Sequence, residues 1–122
     1  QIKKVRCKTQ MLDTFINENN IKRIDMIKCD VEGGEFFVFK GGINSLIKFK
    51  PIVFTEMLRK WAAKFDYHPN DIIKLFSEIG YKCYIISKDK LKEISEVNEQ
   101  TMETNFIFLH PSVHAEKIKK HS

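Results

Sequence analysis

Apolar residues recur along the chain in two patterns, one typical of helices and one typical of buried strands. Helical spacing over 11–18 predicts a first helix, with Thr9 as its N-cap. Helical spacing returns over 36–47, where the Gly41-Gly42 pair is expected to bend or split the helix. The segment 57–67 carries aromatic residues among charges, and we expect it to be part helix and part loop.

The strongest helix signal follows His68. Pro69 suits the first helical position, and Asp71 is favoured at the positive end of the helix dipole. An apolar stripe follows at helical spacing, and Gly80 is the expected stop.

Short apolar runs between these segments predict strands at 24–31, 51–57, 81–86 and 105–109, and residues 2–7 predict a further short strand. The run at 24–31 shows little polar alternation, so we expect both of its faces to be covered. No structure is predicted for 88–102, and the residues after 109 are interpreted as a basic tail. Strands that alternate with helices predict an α/β fold with a mostly parallel sheet, in which the last strand is a candidate antiparallel member.

The composition is that of one ordinary globular domain of 122 residues, 43% hydrophobic and 30% charged. The net charge of +5 comes from lysines spread along the chain, so nucleic-acid binding is not expected. Cys7, Cys29 and Cys83 form no C-x-x-C pair, which argues against zinc or redox chemistry, and the last two are predicted core residues. An odd number of cysteines fits a reducing compartment, and we expect a cytoplasmic location.

The stretch "IKCDVEGGEF" carries the candidate chemistry. Asp30, Glu32 and Glu35 surround Gly33 and Gly34 where a predicted strand gives way to a helix. Ligands of open α/β sheets gather at the carboxyl ends of strands. If the strand continues through Glu32, Asp30 and Glu32 point the same way, and the glycines allow a sharp turn beside a ligand.

Each acidic residue also has a purely structural interpretation. Glu35 falls in the first turn of a helix, where the dipole alone favours an acid. Glu32 is suited to cap the turn. Glu56 ends the next strand, where it can pair with Arg59 or Lys60. Asp30 is the hardest to explain structurally, because it directly follows an apolar strand.

The stretches "IDMIKCDVEGGEFFVFKGG" and "KPIVFTEM" resemble the FkbM-type S-adenosylmethionine-dependent methyltransferases over about residues 5 to 111. The resemblance implies the C-terminal half of a Rossmann-like methyltransferase sheet. It also implies S-adenosylmethionine as cofactor and O-methylation of a hydroxyl on a sugar or small metabolite. Methyl transfer needs alignment and a base. The implied catalytic residues are Asp30, Glu32 and Glu56, and the implied cofactor-binding residues are Asp30, Val31 and Gly33.

Against the resemblance, the first glycine of the chain is Gly33, so the glycine-rich cofactor loop expected after a first strand is missing. We interpret residues 1–122 as one domain, the C-terminal portion of a methyltransferase. By itself this chain is expected to be inactive and to bind the cofactor weakly or not at all. A half-sheet is also expected to expose an apolar edge or face and to form homo-oligomers.

Two alternatives remain open on the sequence alone. One is a divalent-metal hydrolase that uses four carboxylates as ligands: Asp30, Glu32, Glu35 and Glu56. The other is a non-catalytic α/β module that binds another polypeptide.

Overall fold

The computed structural model describes residues 9–122 as a mixed α/β structure, so the strand predicted at 2–7 lies outside the described residues. The helices are α1 (Leu12–Glu18), α2 (Glu35–Lys40), α3 (Ile43–Phe49), α4 (Arg59–Lys64), α5 (Pro69–Glu78) and α6 (Pro111–His121). The strands are β1 (Met26–Cys29), β2 (Ile52–Glu56), β3 (Lys82–Ser87), β4 (Lys90–Ile94) and β5 (Asn105–Leu109). Among these elements, no helix has the length and apolar character that a bilayer crossing demands.

The five strands form one sheet in the order β1-β2-β5-β3-β4. Only the β1–β2 pairing is parallel, and the three others are antiparallel. The prediction of a mostly parallel sheet is therefore wrong. The physical reason is the position of β5, which inserts between β2 and β3 and runs opposite to both. The antiparallel last strand is confirmed.

Strand β4 is the second element that changes the sheet. It returns from β3 through Lys88 and Asp89, which have φ angles of 51° and 61°. Two consecutive residues of positive φ are typical of a two-residue hairpin turn, whose usual sequence is Asn-Gly or Asp-Gly. Lys-Asp lacks that signal, and the prediction of no structure over 88–102 missed β4 for this reason.

The predicted helices lie where the structure has helices, but some of their predicted ends are wrong. Helix α1 has Met11 at its N-cap, so the assignment of Thr9 as cap is wrong. The glycine pair does split the second helical stretch into α2 and α3. Helix α5 begins at Pro69 as predicted, and the structure adds a capping box between His68 and Asp71. The basic tail is in fact α6, which begins with Pro111 after a His110 cap.

One face of the sheet carries the core. The rings of Phe76 on α5 and Phe108 on β5 stack with their centroids 4.1 Å apart, and Phe39 from α2 packs edge-on against Phe76. Cys29 and Cys83 are buried in this layer, as predicted. The opposite face is incompletely covered, and Met26 on β1 is 57% exposed there, so the prediction that β1 is buried on both faces is wrong.

Candidate functional site

The ends of β1 and β2 place two of the predicted site residues at one edge of the sheet. Cys29 pairs with Thr55 in the parallel register, so Asp30 and Glu56 are the next residues on two adjacent strands. The Thr55 hydroxyl donates a hydrogen bond of 3.0 Å to the Cys29 carbonyl, which ties the two strand ends together. Asp30 is exposed to solvent and Glu56 is half-buried.

The chain turns away immediately after Asp30. Strand β1 ends at Cys29, and Glu32 and Gly33 have φ angles of 50° and 106°. These left-handed conformations end the alternation of side chains. The expectation that a continuing strand aligns Asp30 with Glu32 is therefore wrong. Glu32 is exposed on the outside of the turn.

Glu35 is the buried acid of the motif, with only 3% of its surface exposed. It stands in the first turn of α2, as predicted, but its carboxylate points back into the turn. One oxygen, Oε2, accepts the backbone N–H of Val31 over 2.9 Å. The backbone N–H of Gly33 donates to both oxygens, at 3.1 Å and 3.2 Å. The carboxylate thus closes the loop through charge-assisted hydrogen bonds, a role the sequence did not reveal.

Gly33 is enclosed by two aromatic residues from the segment after α4. The Tyr67 hydroxyl donates a 2.8 Å hydrogen bond to the Gly33 carbonyl. A Cβ atom on Gly33 would lie 2.7 Å from Cε2 of Phe65, so the ring leaves no room for a side chain. Burial raises the pKa of Tyr67, and the charge of Glu35 adds to that increase. Both backbone polar groups of Gly33 are therefore hydrogen-bonded within the chain, and its carbonyl oxygen keeps one further lone pair.

Aromatic rings continue outward from this loop. Phe37 and Phe65 meet edge-on with centroids 6.0 Å apart, and both are nearly half exposed. The Lys40 ammonium lies 4.5 Å from the centre of the Phe36 ring. This aromatic wall, formed by Phe36, Phe37, Phe65 and Tyr67, borders the turn that follows Asp30. Sequence analysis missed it because two of its members lie in the ambiguous 57–67 segment.

The structure gives the metal-hydrolase alternative no support. Within residues 9–122, no three His, Cys, Asp or Glu side chains come together as metal ligands, and Glu35 is turned into its own loop. The structural interpretation of Glu56, a pairing with Arg59 or Lys60, is also not found. The ion pairs among the described residues are Arg23–Asp25 and Lys82–Glu93.

The buried thiol next to the site is not a nucleophile. Burial raises the pKa of Cys29 to about 12, and the negative charge of Glu35 adds to the effect. A thiol of this pKa stays protonated at neutral pH, and the thiolate is the reactive form. The available chemistry is therefore that of the exposed carboxylate of Asp30, with Glu32 two residues later in the chain and Glu56 at the end of the adjacent strand.

Comparison with known proteins finds one match. The family model described as the methyltransferase FkbM domain matches residues 1–83 of the 122, which include β1, the acidic loop, β2 and α5. No curated protein and no solved structure matches the chain.

Proposed function

The chain belongs to the FkbM methyltransferase family, and from that premise we propose that it serves S-adenosylmethionine-dependent O-methylation, with Asp30 as the catalytic base. The observation that carries the proposal is the position of Asp30, which is exposed at the carboxyl end of a strand paired in parallel with its neighbour. Small-molecule sites of α/β sheets form at such strand ends.

The surroundings of Asp30 support a role as the acceptor of a proton from a hydroxyl group. It is the first residue after β1. The turn that follows is held by hydrogen bonds to the Glu35 carboxylate, and Phe65 and Tyr67 pack against it. A base held by a closed loop does not have to be ordered when the acceptor binds, and positioned bases contribute about 10²–10⁴ in rate. Glu35 is a positioning residue in this scheme, since its two carboxylate oxygens accept hydrogen bonds from the backbone of the loop.

The residues around Asp30 fit a cationic cofactor in part. S-adenosylmethionine, when bound, supplies an electrophilic methyl group on a positively charged sulfur. The Asp30 carboxylate attracts such a charge, and the Val31 side chain, 46% exposed, offers apolar contact beside it. The N–H of Gly33 is bonded to Glu35, so a contact of Gly33 with the cofactor would use the second lone pair of its carbonyl oxygen. We therefore propose Asp30 and Val31 as the main cofactor contacts, with Gly33 as a further one.

For the acceptor we propose a hydroxyl on a sugar or another small metabolite. The exposed rings of Phe37 and Phe65 form an apolar wall beside the acidic turn, against which the carbon face of such a molecule can pack. Glu56, half-buried at the end of the adjacent strand, is a second carboxylate that can orient hydroxyl groups. Exposed Glu32 remains a weaker candidate for the same role.

The test is the binding of S-adenosylmethionine and of S-adenosylhomocysteine, which lacks the methyl group and the positive charge, measured by ligand-observed NMR. The chain contains no G-x-G-x-x-G sequence, so we expect weak affinity, with Kd on the order of millimolar. Asp30→Asn should raise the Kd of S-adenosylmethionine about fivefold, because the attraction between the carboxylate and the sulfonium is lost. The Kd of S-adenosylhomocysteine, a neutral thioether, should not change.

Asp89→Asn is the matched control, since Asp89 is exposed in the β3–β4 turn at the opposite side of the sheet. It should change neither affinity. Millimolar binding would support the cofactor assignment, and micromolar binding would overturn the expectation that this chain by itself binds the cofactor weakly or not at all. Equal effects of Asp30→Asn on the two ligands would overturn the role of Asp30 alone.

A further inference from the structure

The aromatic wall beside the acidic loop already holds one cation, the ammonium group of Lys40. Its Nζ atom lies 4.5 Å from the centre of the Phe36 ring and 5.2 Å from the centre of the Phe37 ring. Lys40 follows these residues by four and three positions on α2, so its side chain reaches both rings across one helical turn. A cation within about 6 Å of a ring centre is attracted by the negative face of the ring. The two rings therefore present a position at which positive charge is stabilised.

The ammonium group is a replaceable occupant of this position. Lys40 is exposed, and among the residues that the structure describes it takes part in no ion pair. Phe37 is 49% exposed, so its ring is accessible from solvent. Tyr67 supports both rings, with its centroid 5.0 Å from that of Phe36 and 6.2 Å from that of Phe37. A cation from outside the chain can thus take the place of the ammonium group while the rings keep their arrangement.

The charges around the wall favour a cation over an anion. Four carboxylates belong to the acidic loop or to the segments that carry the wall, and all but Glu35 are exposed: Asp30, Glu32, Glu35 and Asp66. The two lysines of α4 lie against another ring, since the Nζ atoms of Lys60 and Lys64 are 5.7 Å and 4.3 Å from the centre of Trp61. Negative charges close to a position lined by rings add to the attraction of a cation.

We propose that the aromatic wall is an onium site, in which Phe36 and Phe37 hold the sulfonium of S-adenosylmethionine in the place of the Lys40 ammonium group. The inference rests on the proposed function and names the residues that attract the positive charge of its cofactor. Aromatic rings recognise quaternary ammonium groups by the same attraction. Phe65, whose ring meets Phe37 edge-on, stays available for the acceptor.

The first experiment tests the site with a small probe and does not require the cofactor. Ligand-observed NMR measures the binding of choline, a quaternary ammonium ion, and of its neutral isostere 3,3-dimethylbutan-1-ol to the full 122-residue chain. We expect a Kd on the order of 10 mM for choline and about fivefold weaker binding of the alcohol. Phe37→Leu keeps an apolar side chain but removes the ring, so it should raise the Kd of choline about threefold. Lys40→Met removes the competing ammonium group and should lower that Kd about threefold.

Phe49→Leu and Lys48→Met are the matched controls. The Nζ atom of Lys48 lies 5.1 Å from the centre of the Phe49 ring, so the same pair of groups occurs on α3, outside the wall. Neither control should change the Kd of choline, and circular dichroism checks that each variant is folded. Equal binding of choline and the alcohol would overturn the onium site, as would test variants that act no more strongly than the controls. The proposed function would then still stand or fall with Asp30→Asn.

The second experiment connects the site to the cofactor by competition. S-adenosylmethionine at about 10 mM should displace choline, and S-adenosylhomocysteine, which lacks the sulfonium charge, should displace it less. Phe37→Leu should raise the Kd of S-adenosylmethionine about threefold and leave that of S-adenosylhomocysteine unchanged. Failure of S-adenosylmethionine to displace choline, or a Kd that Phe37→Leu leaves unchanged, would overturn the assignment of the sulfonium to this site. A Kd of S-adenosylmethionine that responds to Asp30→Asn but not to Phe37→Leu would overturn this inference alone.

Discussion

The carboxylate of Glu35 accepts a hydrogen bond of 2.9 Å from the backbone N–H of Val31, four residues earlier in the chain. The bond links the first turn of α2 to the loop that leaves β1, so the helix and the strand end are held in one geometry. Because Glu35 is nearly fully buried, water does not compete for this bond. The conformation of the acidic motif thus depends on a residue that does not face the candidate site.

Replacing Glu35 with Gln tests this dependence. One oxygen acceptor remains for the N–H groups of Val31 and Gly33, but the charge and the second acceptor are gone and an amide donor now faces the Gly33 N–H, so we expect the free energy of unfolding to fall by about 1–3 kcal/mol. Urea denaturation followed by circular dichroism measures the change. The control is Glu32→Gln at an exposed position three residues earlier, which should shift the free energy of unfolding by less than about 0.5 kcal/mol. Similar effects of the two variants would contradict the conclusion that the Glu35 carboxylate holds the loop after β1.

Gly33→Ala should be destabilising for two separate reasons. The backbone φ of 106° disfavours any residue with a Cβ, and that Cβ would meet the Phe65 ring at 2.7 Å. We expect a loss of about 1–3 kcal/mol in thermal or urea unfolding. Gly34→Ala is the matched control, since Gly34 has an ordinary φ of −84° and the atom nearest to its added Cβ is Cγ2 of Val31 at 3.3 Å; the free energy of unfolding should change by less than about 1 kcal/mol.

A Phe65→Ala background separates the two causes. Removing the ring opens space for the methyl group but leaves the backbone strain. Gly33→Ala should therefore cost less in that background than in the wild-type chain, while a cost remains. An unchanged cost would mean that the ring yields freely, and the complete loss of the cost would mean that the backbone conformation is not strained.

Local signals in the sequence were enough to place most elements of this fold. Pro69 and Asp71 predict the start of α5, and the glycine pair predicts the break between α2 and α3, because both signals act through neighbouring residues. Strand direction depends on contacts far apart in sequence. Nothing in "NFIFL" indicates that β5 inserts between β2 and β3, which is why the sheet was predicted to be mostly parallel.

The same distinction applies to the candidate site. The family motif locates the acidic loop, and the alternation of strands and helices locates its edge of the sheet. The assignment of roles within the motif fails at Glu35, because a first-turn acid is equally explained by the helix dipole. Only the turn at Glu32 and Gly33, with its positive φ angles, brings that carboxylate back onto the loop.

The two buried cysteines should resist alkylation. Burial raises the pKa of both Cys29 and Cys83 to about 12, and both side chains are enclosed in the core. In a Cys7→Ser chain we expect iodoacetamide to label neither thiol within several hours at pH 8 under native conditions. In urea we expect full labelling of both thiols, and mass spectrometry measures the extent of labelling. Rapid labelling of Cys29 under native conditions would show that the end of β1 opens readily.

Stability should depend on pH through His114 in α6. His114 is buried, and its Nδ1 accepts the backbone N–H of His110 over 2.9 Å, which requires the neutral ring. Burial lowers the pKa of His114 below its ordinary value of 6.5, and the charges of His110 and Lys117 lower it further. The unfolded chain therefore binds this proton at a higher pH than the folded chain does.

The sign follows from this difference. As pH falls from 7.5 through 6.5 towards the lowered pKa, the unfolded chain gains a proton that the folded chain does not, so the free energy of unfolding decreases. A single group sets a slope of at most about 1.4 kcal/mol per pH unit. His114→Asn keeps an acceptor for the His110 N–H and does not titrate, so its unfolding free energy should decline less steeply between pH 7.5 and 5.5. Parallel pH profiles for the two chains in urea titrations would show that His114 does not control the docking of α6.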